Sequence, residues 1–360
     1  MLWMRPTAQI RWALVVAGVL SWSLAVPANR DLVASQSQTA QTESAPSGPP
    51  DFERLANEQA ETDRAWRAAA QGVMQVEKIA YPSRVGDLDI PAFVFQPITT
   101  GAPRSHAALV WVHENIRGHL YERHIPFVRE AVSRGYVVMA PEYRGSIGYG
   151  QALYDAIDYG GAEVDDIATA TTVLRERYPH VNPSRIGVIG WSHGGLIALL
   201  AILREPPLFE AAVAVAPVTN LFHRLAFKGV DAQRRAIDPH NRFGGTPAER
   251  PEVYRERSPL FHVDKLAIPL LVHVAANDED VTIDESRQLV DALVARKAHL
   301  ADVKIYEAPK GGHLFDRLVD PIGDAPENTP EQVDAWQRIW SFLGRHLSPL
   351  DVPAVPASAR

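Results

Sequence analysis

The chain has 360 residues, 46% of them hydrophobic and 22% charged, with a formal net charge of -7 at pH 7. That apolar share suits a globular core, and a mild negative charge with no basic block or aromatic-interleaved basic strip argues against nucleic acid as a partner. There is no cysteine, so disulfides, thiolate chemistry and a lipidated N-terminal cysteine are excluded.

Arg5 and Arg11 precede an apolar run from about Trp12 to Val26, and Ala25 or Val26-Pro27-Ala28 offers small residues for cleavage. The run is short for a membrane span of roughly 20 residues, so a signal peptide is predicted over 1–28, with an uncleaved N-terminal anchor as the alternative. Either way the positive flank stays inside and the rest is exported, to a periplasm or the exterior. Residues 29–50 are Gln, Ser, Thr, Ala and Pro with hardly an apolar cluster, which predicts a disordered linker. About 290 residues then remain, enough for one α/β domain over 51–348, followed by a flexible tail over 349–360.

Phe52, Leu55, Gln59 and Trp66 keep helical spacing in part and predict a short helix on the domain edge. Val73 to Ala80 and Ile90 to Gln96 read as early strands, with Pro82 to Asp89 as the turn between them. From there strand and helix alternate: Leu109 to Val112, Ile125 to Arg134, Tyr136 to Ala140, Val164 to Tyr178, Ile186 to Ile189, Leu196 to Arg204. That alternation predicts a mostly parallel central sheet with helices on both faces. Two tempting motifs fail on the way. His113 and His119 flank Glu114 but lie six apart around a glycine, where a zinc helix needs histidines four apart on one face. Gly145, Gly148 and Gly150 reverse the spacing of a dinucleotide fingerprint and precede no matching helix. No cofactor and no catalytic metal are expected.

Gly190-Trp191-Ser192-His193-Gly194-Gly195 stands directly between the strand Ile186 to Ile189 and the helix-forming run Leu196 to Ala201. Strand, sharp turn, helix is the context in which GxSxG forms a nucleophile elbow, since the turn lifts the serine above the sheet and only glycines leave it room. Ser192 is the predicted nucleophile. After the strand Ala211 to Ala216, the stretch Thr219 to His262 reads as a lid-like insertion that lines the pocket, with Phe222, Phe227, Phe243 and Tyr254 as its apolar candidates and core packing as the other role for any one of them. Pro269 to Ala275 then reads as a buried parallel strand with Asn277-Asp278-Glu279-Asp280-Val281 at its C-terminal end, where open α/β sheets carry their chemistry. Asp278 is the predicted acid, with Asp280 as the fallback. Val303 to Tyr306 reads as the last strand, and His313 follows it on the glycine-loosened loop Lys310 to Phe315. The order Ser192, Asp278, His313 is that of the α/β-hydrolase fold.

On these residues the chain resembles the catalytic domain of the prolyl oligopeptidase family of serine peptidases. Pro141 to Gly150 resembles that family's segment after the fourth strand, and Gly190 to Gly195 its nucleophile motif. Pro251 to Leu260 resembles the approach to its acid strand, Asp278 to Val281 its acid motif, and Gly312 to Phe315 its histidine motif. Together the motifs cover the chain from about Val73 to Leu347. The resemblance implies an α/β-hydrolase fold and a serine peptidase acting on short peptides. Two departures stand beside it. Nothing resembles the blades of the family's β-propeller, for no repeat of roughly 40 to 50 residues is present. The run His113-Glu114-Asn115-Ile116-Arg117-Gly118 resembles instead the dienelactone hydrolase family, whose nucleophile is a cysteine, and the missing propeller together with Glu114 in this run keeps a carboxylesterase acting on small esters or lactones as the alternative. In that pattern a glutamate at the place of Glu114 touches the nucleophile and an arginine, a role open to Arg144.

The expected mechanism is common to both readings. Ser192 attacks an acyl carbon to form an acyl-enzyme, His313 takes its proton and passes it to the leaving group, and Asp278 fixes the imidazole. The oxyanion is expected to rest on the backbone N–H groups of His193 and Asn115. Glu114, Arg144, Trp191 and Tyr254 are candidate contacts to substrate or nucleophile.

Overall fold

The computed structural model describes residues 50–204, 208–226, 229, 243–319 and 328–349. The expected signal peptide, the linker up to residue 49, Phe227 and the tail from residue 350 lie outside the described residues. Helix α1 (Phe52–Ala70) opens on Asp51, whose carboxylate caps it by accepting the Arg54 N–H at 3.0 Å. It buries Leu55, Gln59, Thr62, Trp66 and Ala70 at helical spacing, and it runs past Trp66 because three alanines continue it at no side-chain cost. No described helix is long and apolar enough to cross a membrane.

Eight strands form one sheet: β1 (Gln75–Pro82), β2 (Asp89–Gln96), β3 (His106–Val112), β4 (Val137–Pro141), β5 (Val181–Trp191), β6 (Ala211–Val215), β7 (Leu270–Ala275) and β8 (Ala301–Tyr306). Their order is β1-β2-β4-β3-β5-β6-β7-β8. The pairs β1/β2 and β2/β4 are antiparallel, and every other neighbouring pair is parallel. This is the α/β-hydrolase fold.

Both faces are covered, and successive residues of one strand serve opposite cores. Ala108, Val110 and Val112 of β3 pack with residues of α4 (Glu163–Arg177) and α5 (Ser192–Ile202), the two helices that follow the short α3 (Gln151–Asp155). Ala107, Leu109 and Trp111 pack with Trp66 of α1, Phe127 of α2 (Ile125–Ser133) and, from the C-terminal helix Pro330–Leu347, Trp336 and Ile339. Burial on both faces explains why the parallel strands read as continuous apolar runs rather than alternating ones. Parallel pairing places the C-terminal ends of β3, β5, β7 and β8 along one edge, with Ser192 directly after β5 and the other predicted site residues on the loops after β3, β7 and β8.

Candidate active site

Ser192 follows the last residue of β5 and opens α5, with φ +51°. A serine in the left-handed region is strained and persists only where its surroundings hold it. The glycines around it explain how. A Cβ on Gly190 would run into the backbone of Gly194, one on Gly194 into the carbonyl oxygens of Val112 and His113 at the end of β3, and one on Gly195 into Pro217 at 2.8 Å. The elbow is thus packed backbone against backbone. Among the described residues the Ser192 side chain makes no hydrogen bond, so its hydroxyl is left for a reaction partner.

Three residues beyond β7, Asp278 is buried and its Oδ1 accepts the N–H groups of Asp280 at 2.8 Å and Val281 at 2.9 Å. These two bonds aim its other oxygen at His313, which follows β8: Nδ1 lies 2.7 Å from Asp278 Oδ2. An ionised carboxylate accepts only, so Nδ1 carries the proton and Nε2 is free to accept one. Asp280 holds its own place in the loop through its N–H to Asp278 and its carbonyl, which accepts from Arg224 at 2.9 Å.

After β3 the chain turns through Asn115, φ +71°. The Tyr143 hydroxyl contacts the carbonyl oxygens of His113 at 3.1 Å and Asn115 at 3.0 Å, which clamps the loop from behind. The Asn115 N–H donates to no described residue. The His193 N–H lies in the first turn of α5, where backbone donors have no intrahelical acceptor. Its side chain turns away, into a buried contact of 2.8 Å with Glu163 Oε2. Beneath the loop, burial lowers the His113 pKa to about 3, so the ring is neutral; its Nδ1–H donates to the Glu114 carbonyl at 2.9 Å, and Nε2 accepts from Ser146 Oγ at 3.1 Å.

Four residues expected at substrate or nucleophile are placed elsewhere. Glu114 is buried against His124 (Nε2 to Oε2, 2.8 Å), Arg123 (Nε to Oε1, 2.8 Å) and Arg317 (Nε to Oε1, 3.5 Å), rather than against Arg144. Burial works against its charge, but these three neighbours outweigh it and hold the carboxyl well below its usual range. The Trp111 indole donates to His124 Nδ1 at 3.1 Å, so that nitrogen bears no proton and His124 is neutral; burial lowers its pKa in the same sense. Arg144 forks instead onto Asp166, Nε to Oδ2 at 2.8 Å and a terminal nitrogen to Oδ1 at 2.7 Å. Trp191 lies fully buried under the elbow with its indole on Asp316 at 2.7 Å. Tyr254 is core: it stacks on Phe243 at 4.8 Å and its hydroxyl donates to the Gly245 carbonyl at 2.7 Å. Arg317 for Glu114, Asp166 for Arg144 and Asp316 for Trp191 are partners distant in sequence that local spacing could not name, whereas Tyr254 meets Phe243 and Gly245 close by in the chain. Conversely, sequence reasoning passed over His124, Glu163, Asp316 and Arg317. The only local signal for the last two is that they directly follow the histidine motif.

The fold and the serine elbow define a member of the α/β-hydrolase class. Residues 124–349 match the model of the prolyl oligopeptidase family, and the chain belongs to that family. It is 27% identical over 252 residues to an uncharacterised peptidase, YuxL, of Bacillus subtilis, covering 68% of this chain and 36% of that protein. It is 34% identical over 231 residues to human dipeptidyl peptidase 8, covering 59% of this chain and 24% of that one. The chain thus spans well under half the length of either relative. Among solved structures it resembles an acylaminoacyl peptidase of Pyrococcus horikoshii, with a TM-score of 0.63, 20% identity, and 79% and 44% of the two chains covered. It also resembles a puromycin-hydrolysing peptidase of Mycobacterium tuberculosis, with a TM-score of 0.61, 24% identity, and 76% and 40% covered. At such identities these two likenesses concern the fold alone.

Proposed function

We propose that this chain is an exported serine peptidase acting on short peptides through an acyl-enzyme on Ser192. His313 is the general base and acid, Asp278 orients it and stabilises its charged form, and the N–H groups of His193 and Asn115 receive the oxyanion. The observation that carries the reading is the 2.7 Å contact between His313 and Asp278 on the same sheet edge as the strained Ser192. Family membership and the peptidase names of the relatives support peptide over ester. The ester alternative drew on Glu114 as a partner of the nucleophile, and the ion pairs of Glu114 with Arg123 and Arg317 weaken that ground. Export rests on the N-terminal Arg5, Arg11 and apolar run.

A fluorophosphonate probe tests the nucleophile, because only an activated serine reacts; Ser192 should take the label and Ser192→Ala should not. Dipeptidyl, prolyl and acylaminoacyl amides set against p-nitrophenyl esters test the substrate class. Turnover of esters with no measurable amide hydrolysis would move the chain to the carboxylesterase reading.

A further inference from the structure

The candidate site residues stand on separate segments, Ser192 at the start of α5 and the others on loops, and their neighbours in sequence meet behind them in one buried charge cluster. Glu114 precedes Asn115, Trp191 precedes Ser192, and Asp316 and Arg317 follow His313 on the same loop. Arg317, fully buried, is where they converge. One terminal nitrogen pairs with Asp316 Oδ1 at 2.7 Å, another donates to the backbone carbonyl of His313 at 3.2 Å, and Nε lies 3.5 Å from Glu114 Oε1. Asp316 carries the connection to the elbow: Oδ2 accepts the Trp191 indole N–H at 2.7 Å, and its carbonyl accepts that of Trp336 at 2.7 Å. One planar group therefore hydrogen-bonds the histidine loop directly, meets the oxyanion loop through a charge contact at 3.5 Å without a hydrogen bond, and reaches the nucleophile elbow through a single carboxylate.

The charges of the cluster balance, with Glu114 and Asp316 against Arg123 and Arg317 and a neutral His124 between. Even so, a buried ion cluster adds little stability over an apolar core of equal volume. What it supplies is direction, since the five donors of a guanidinium point along set lines. We propose that Arg317 is a positioning residue that keeps the His313 loop in register with the oxyanion loop and the elbow. The proposal rests on the roles given above to Ser192 and His313.

Arg317→Lys keeps the charge but replaces the planar fork with a point charge. Arg144→Lys makes the same change in a buried pair that touches none of these loops and serves as the stability control. Fluorophosphonate labelling rates, and kcat and KM on the substrates above, are measured well below the Tm of each variant. Arg317→Lys should slow labelling and lower kcat by about 10- to 100-fold with KM within about threefold, because a shift on the order of 1 Å in a reacting group costs that much. Arg144→Lys should lower Tm while its rates stay within about threefold. Wild-type rates in Arg317→Lys, or equal rate losses in the two variants, overturn the proposal. The double variant Arg317→Met with Glu114→Gln removes one cation and one carboxylate together, so the cluster stays neutral; it should show the same fall in kcat, and full activity in it is a second way for the idea to fail. Hydrogen exchange on the unmodified protein needs no variant to fold. Amides over 113–116 and 313–317 should open with one common free energy, and independent opening counts against a single unit. If the unmodified protein takes no label at Ser192, the nucleophile assignment is what fails, and the exchange experiment still decides whether Arg317 joins the loops.

Discussion

Gly194→Ala is the sharpest test of how the elbow is built. The added methyl would fall well inside contact distance of the carbonyl oxygens of Val112 and His113, both backbone atoms of the central strand β3 and its exit. A methyl carbon and a carbonyl oxygen rest somewhat above 3 Å apart, so α5 and the end of β3 must separate by about 1 Å. Overpacking of this kind costs about 1–3 kcal/mol, or roughly 2 to 10 °C in Tm for a domain of this size. The same separation draws the His193 and Asn115 N–H groups apart, and a displacement near 1 Å in a reacting site costs on the order of 100-fold in rate. Thermal melts and kcat/KM against a Ser192→Ala blank measure both effects. Gly344→Ala is the matched control. Nothing lies within 4 Å of its added methyl and the residue is helical, so it should leave the rate alone and raise stability by up to about 1 kcal/mol. A Gly194→Ala protein with parental Tm and kcat/KM within about threefold would refute the claim that elbow and oxyanion loop are packed in contact.

Ser192→Ala and His313→Gln should each lower kcat by orders of magnitude with the fold intact, whereas His299→Gln and His346→Gln should not; activity within about tenfold of wild type in either of the first two ends that assignment. Asp278→Asn should cost about 10⁴ in kcat by removing the acceptor that sets the imidazole tautomer, and Asp280→Asn far less; the reverse ranking would make Asp280 the acid. Burial raises the Glu142 carboxyl from 4.5 to about 8, against the opposing Leu120 N–H and Lys78. The folded state then holds this proton more tightly than the unfolded one, so the contribution to stability is complete below about pH 4.5 and is lost as pH rises through about 8. Glu142→Gln, isosteric with the protonated acid, should abolish that part of the decline, on the order of several kcal/mol; urea melts at about pH 5 and 8.5 that fall equally for both proteins contradict it.

Much of the fold was open to reading because its signals are local. The alternating strands and helices from Leu109 to Ala216 lie within a few residues of their expected limits, since burial on both faces writes an apolar run and covering helices write a 3.6-residue period. Two long helices, Ile283–Lys297 and Pro330–Leu347, went unread. The second carries its own start signal, Thr329 capping the Gln332 N–H with Pro330 at the first turn, and an apolar stripe through Trp336, Ile339, Trp340, Leu343 and Leu347. At the start of the stretch Thr219 to His262, Thr219 and Asn220 give their N–H groups to the buried carboxylate of Glu285, at 2.7 and 3.2 Å, a partner far along the chain that no local pattern names.

What the sequence determined by itself is whatever six or so consecutive residues can enforce. The elbow is such a case, because steric room around Ser192 depends on glycines two and three positions away; the order Ser192, Asp278, His313 is legible in another way, from the place of each residue after its own strand in a sheet that is mostly parallel. What only the tertiary structure decided is the pairing of buried charges. Glu114 faces Arg317, and Arg144 faces Asp166, because the crossing order β4-β3-β5 and the return of the chain after β8 put those groups together. With 36 cationic side chains in the chain, no local spacing can choose among the partners of a carboxylate; Coulomb attraction acts through space, and in a folded core only those cations the topology brings within a few ångströms, away from water, are strong enough to count.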